Sequence, residues 1–118
     1  MAHYLEIDLV PKELVGEKKS IGYCDLESKD IRGVFSEPRT TDYNDVLRGI
    51  FKADWDDCDY YVLTPALVDE IIAKFSKMDL EDLFIETDKH DRIMKAMRAV
   101  QDNIEPNSEV CYVISWSK

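Results

Sequence analysis

The chain has 118 residues, 45% of them hydrophobic and 34% charged, with four glycines and four prolines. That length suits one domain with a usable core, and the composition excludes a disordered, fibrous or repeat protein. A formal net charge of −10 also argues against nucleic acid and anionic membranes as direct partners, since both would repel the chain.

HYLEIDLV opens as a half-buried strand, with Leu5, Ile7 and Leu9 alternating against Tyr4, Glu6 and Asp8 until Pro11 ends it. Residues 12–40 leave alternatives open. Ile21 to Cys24 fits a short strand, and Ser28 to Phe35 fits either a helical turn or a strand broken by Gly33. TDYNDVLRGIFKA predicts a helix capped by Thr41 or Asp42, with Tyr43, Val46, Leu47, Ile50 and Phe51 on one face. Tyr60 to Leu63 is a short strand of aromatic and β-branched residues. Thr64-Pro65 then opens a helix, a capping hydroxyl followed by a proline whose missing N–H costs nothing there. Its buried stripe is Leu67, Val68, Ile71, Ile72 and Phe75.

DLEDLFIE, from Asp79, reads as a short amphipathic segment with Leu80, Leu83 and Phe84 apolar. A longer helix follows from about Asp88 to Asn103, burying Ile93, Met94, Met97 and Val100. SEVCYVISWSK closes as a strand with apolar side chains on both faces, the mark of an interior position. The sum is an α+β fold over residues 1–118, a single globular domain. It has a small mixed or antiparallel sheet of three to four strands against three to four amphipathic helices, a two-layer sandwich.

The charge is concentrated. Residues 53–88 hold eleven acids against only Lys74 and Lys77, whereas the flanking thirds are nearly balanced. No apolar run approaches the roughly 18 residues of a membrane span, and the start lacks the basic-then-apolar order of a signal peptide. A cytoplasmic location is the expectation. Cys24, Cys58 and Cys111 are an odd set without CxxC spacing, which predicts free thiols rather than a disulfide or a zinc site.

The sharpest local feature is DWDDCD, Asp54 to Asp59. A calcium loop counted from Asp54 needs glycine at its sixth position and glutamate at its twelfth; Asp59 and Pro65 stand there instead. Catalytic signatures are missing too, with no nucleophile elbow, no HExxH and no phosphate loop. Cys58 sits among carboxylates, which raise a thiol pKa and blunt it as a nucleophile. No cofactor is implied.

Large aromatics beside uncompensated charge suit a protein contact surface, and acids steer a basic partner. The expected partner-binding residues are Asp54, Trp55, Asp56, Asp57, Asp59, Tyr60, Asp79, Glu81, Asp82 and Glu86. The expected function is that of an inhibitor, immunity or phage-type antagonist that engages a basic surface on another protein, a nucleic-acid-binding surface being one such target, by presenting negative charge at a density similar to that of nucleic acid. The alternative is a small enzyme or metal-assisted hydrolase with a carboxylate site that no motif reveals.

Overall fold

A computed structural model describes residues 4–53, 59–105 and 107–116, apart from the side chain of Tyr23. The fold is α+β, with a five-stranded antiparallel sheet and four helices. The strands are β1 (Tyr4–Pro11), β2 (Ser20–Ile21), β3 (Arg32–Pro38), β4 (Tyr60–Val62) and β5 (Val110–Trp116), in the sheet order β2-β4-β5-β1-β3. The helices are α1 (Lys12–Val15), α2 (Thr41–Phe51), α3 (Pro65–Ser76) and α4 (Thr87–Asn103). Every strand pairing is antiparallel, which decides between the mixed and antiparallel sheets left open by the sequence.

The strand count exceeds the expected three to four because residues 12–40 supply two. Ser28 to Phe35 realises both of its alternatives, a 3-10 turn at Ser28–Asp30 and then β3. Gly33 does not break β3. It pairs with Asp8 beside a register shift between Ile7 and Asp8 that leaves Val34 as the extra residue of a bulge. Ile21 ends β2 rather than starting a strand, and Tyr23–Asp25 is a second 3-10 turn.

Alternation on β1 and β5 divides two cores. Leu5, Ile7, Ile114 and Trp116 face the helices, where Tyr43, Leu47, Phe75 and Met97 meet them, all at or below 5% exposure. Val10 and Val113 face the other way and join Val15, Ile21, Leu26 and Tyr60 in a smaller core under residues 12–31. The sheet is therefore covered on both faces at its β2–β4 side. β5 is interior, paired to both β1 and β4.

Local chemistry sets the helix ends. Thr64 Oγ1 accepts from the Leu67 N–H at 3.2 Å, with Pro65 in the first turn. α2 starts one or two residues earlier than expected, with Thr40 rather than Thr41 or Asp42 at its N-cap, and the Thr40 hydroxyl donates to Asn44 Oδ1 inside the fold. α4 buries Ile93, Met94, Met97 and Val100, the four residues its periodicity selects. No helix among the described residues is long and apolar enough to cross a membrane.

Candidate functional site

DLEDLFIE is not an amphipathic helix. Asp79 Oδ1 accepts from the Asp82 N–H at 3.1 Å, as a helix N-cap does, but the turn closes almost at once. The Phe84 N–H donates to the Glu81 carbonyl at 3.2 Å and the Ile85 N–H to the Leu80 carbonyl at 2.9 Å. These two bonds are a Schellman motif, which requires a left-handed residue where Phe84 stands. Its φ is +55°. Glycine takes that position at no steric cost, and a bulky side chain there is an outlier.

The consequence is exposure. Phe84 is 94% exposed, whereas Leu83 is 37% exposed and Ile85 turns inward against the main core. The expected apolar role of Phe84 is thereby corrected: the turn carries its ring into water. Around it Asp79, Glu81, Asp82 and Glu86 are all exposed.

Phe84 borders a groove of about 700 Å³ between this turn and the β3–α2 corner. Tyr4, Leu83 and Ile85 supply its apolar lining, but the groove is mostly polar, with acids Glu37, Asp42 and Glu86 interspersed with Arg39, Lys89 and Arg92. Arg39 is also left-handed, at φ +59°, so two of the three such non-glycine residues among those described line one groove. Backbone strain of this kind concentrates at functional sites. Lys89 reaches across from α4 to donate to the Arg39 carbonyl at 2.9 Å, fixing the corner.

The groove floor is held from behind. Glu37, buried at 7% exposure, accepts a forked pair from Arg92, Nε to Oε1 at 2.8 Å and Nη2 to Oε2 at 3.4 Å. Tyr43 Oη meets His90 Nδ1 at 2.8 Å, and the Tyr43 ring packs edge-on against Phe75 at 5.0 Å. Burial, then the charges of Asp42 and Glu37, push the Tyr43 phenol up to about 12. It therefore stays protonated near neutrality. Among the described residues no group of three or more His, Cys, Asp or Glu is placed to hold a metal ion.

Asp54, Trp55, Asp56 and Asp57 lie outside the described residues, as does Cys58. Asp59 is half-buried, its Oδ1 facing Gly22, where an added Cβ would stand 3.8 Å away. Tyr60, expected on the contact surface, is instead 8% exposed in the smaller core; the cover from residues 12–31 turns it inward. Asp59 enters β4 at the end of the sheet where Tyr4 and Pro38 also lie. Three strand spacings, about 14 Å, separate β4 from β3 there. Cys24 and Cys111 are free thiols.

Apart from this surface, one polar group stands out. Asp8 is 6% exposed on the smaller-core face of β1, and its Oδ2 has no hydrogen-bond partner among the described residues. Burial, and then the neighbouring Glu6 charge, raise its pKa from 3.8 to about 6.

Compared with protein-family models, curated proteins and solved structures, the chain matches none.

Proposed function

We propose that this protein works by binding another protein, with Phe84 as the aromatic anchor and Asp79, Glu81, Asp82 and Glu86 as its charged rim. One observation carries the reading: a phenylalanine 94% exposed on a turn whose backbone favours glycine. Aromatic anchors inside a polar rim are the usual energetic centre of a protein contact, and rim acids steer a basic partner. Asp59 extends the acidic character along the same end of the sheet, so the partner surface is broad and basic. Surfaces that bind nucleic acid have that character, and covering one makes this chain an antagonist of its partner. Catalysis has no part in the reading.

The test uses the parent chain and two variants as bait in lysate from the source cells. One variant is Phe84→Gly and the other combines Glu81→Lys with Asp82→Lys. A partner retained by the parent should be lost with Phe84→Gly, and the purified pair should weaken by about 2 kcal/mol, roughly thirtyfold. The charge variant should mainly slow association. Equal retention by all three baits refutes the reading.

A further inference from the structure

The turn that presents Phe84 is held at both ends. At its start Asp79 contributes two acceptors: its carbonyl takes the Leu83 N–H at 3.1 Å and its Oδ1 takes the Asp82 N–H, also at 3.1 Å. At its close the Phe84 and Ile85 N–H groups donate to the carbonyls of Glu81 and Leu80. Met78 and Ile85, on either side of the turn, pack against the main core, while Glu81 to Phe84 stand exposed. Glu81 and Asp82 enter the turn through their backbone, by a carbonyl and an N–H; Asp79 enters it through its side chain as well.

A lone helical turn is unfavourable to form, because it fixes several residues for each hydrogen bond gained. This one also carries a phenylalanine at φ +55°. A strained residue of that kind persists only where its surroundings over-determine it. The two bonds that fix Phe84 exist only while the turn beneath them stays wound, and the Asp79 cap favours winding. A helix cap and a bulky left-handed residue are effects of similar size and opposite sign, so the first is placed to offset the second. We infer that Asp79 is the positioning residue of the contact site: its carboxylate holds Phe84 in the presented conformation by hydrogen bonding to the turn, not by charge toward the partner. The inference rests on Phe84 as the contact anchor and gives Asp79 a role that Glu81, Asp82 and Glu86 do not share. An anchor ordered beforehand binds without first losing affinity to its own ordering.

Asparagine caps a helix about as well as aspartate and carries no charge, whereas alanine does not cap. NMR of the free full chain should therefore look alike for parent and Asp79→Asn. Both should show the strong NOE between the Phe84 N–H and its own Hα that marks positive φ, and a protected Ile85 N–H. In Asp79→Ala the NOE should weaken and Ile85 exchange should quicken by roughly fivefold, with circular dichroism reporting the fold. Adding Phe84→Gly to Asp79→Ala should restore much of that protection, because glycine removes the strain that the cap offsets. Toward the partner retained by the parent chain, Asp79→Ala should weaken binding in proportion to the presented turn it loses. Asp79→Asn should keep the parent's dissociation rate, and Asp82→Asn should only slow association. An unchanged NOE and Ile85 exchange in Asp79→Ala overturn the inference, as does Asp79→Asn behaving like Asp79→Ala. Binding lost with Phe84→Gly but equal for parent and Asp79→Ala overturns the inference and keeps the contact site. Binding indifferent to Phe84→Gly removes the contact site and the inference with it.

Discussion

Asp8 fixes a definite pH signature, and Asp8→Asn should erase it. In the folded protein the carboxyl is pushed from 3.8 to about 6 by burial and then by Glu6, while in the unfolded chain it returns to the ordinary value. The native state therefore holds this proton longer than the unfolded state does. The stability that goes with it is fully present below about pH 4 and is lost as pH rises through 6. At 1.36 kcal/mol for each pH unit between the two values, the loss amounts to about 3 kcal/mol, roughly half of it between pH 5 and pH 8. An asparagine has the same shape and no charge to desolvate. Its cost of about 1–3 kcal/mol for unpaired polar atoms does not vary with pH. Urea unfolding followed by tryptophan fluorescence, on parent and variant side by side, isolates the effect, since every other carboxylate cancels in the difference. With a slope of about 1–3 kcal/mol per molar urea, the variant's midpoint should pull ahead by about 1 M or more from acid to pH 8. The isoelectric point near 4.6 lies inside this range, so dilute protein is needed. Parallel pH profiles would falsify the claim that Asp8 is buried as a lone carboxyl.

Phe84→Gly should stabilise the fold by about 1 kcal/mol, because glycine accepts the left-handed position; a raised melting temperature is the measurement. Trp116→Ala should cost about 3–5 kcal/mol, because the indole stacks on Tyr61 at 5.3 Å and lies against Phe51 at 5.8 Å. Trp116→Phe should cost far less, since the buried Nε1 has no hydrogen-bond partner among the described residues to lose; chemical denaturation measures both. Thiol labelling should react with Cys24 well before Cys111, which is half-buried and whose thiol is pushed up by burial; labelling of the unfolded chain should count three. Equal rates for Cys24 and Cys111 would mean that residues 12–31 and the sheet open together.

Much of the fold was legible where local chemistry and periodicity agreed. Thr64-Pro65 announced α3, the stripe from Ile93 to Val100 announced α4, and two-faced apolarity placed β5 inside the sheet. β3 was not legible because it is an edge strand that leaves most of its side chains in water. Its one buried acid, Glu37, is explained only by Arg92, 55 residues later. Tyr60 was misplaced for a related reason: the cover over it comes from a segment whose 3-10 turns carry no hydrophobic period. Counting charge picks out the acids at 79–86, which the structure leaves exposed. Phe84 was missed because an apolar residue among leucines is read as facing inward. The available clue was Asp79 as an N-cap, with no glycine downstream to close the turn it begins.

Asp8 and Phe84 both break a folding rule, but the cost falls inside the fold at one and on its surface at the other. The cost at Asp8 is sealed inside: Oδ2 is buried, Val113 pairs beside it, and no partner can reach it without opening the sheet. The cost at Phe84 lies wholly on the surface. At 94% exposure the ring takes nothing from the core, so packing does not select phenylalanine there, and the turn's own geometry selects against it. A single change to glycine would relieve the strain and leave every hydrogen bond of the turn in place. A side chain that folding disfavours and that lies wholly in solvent is what the proposed contact, unlike Asp8, would account for.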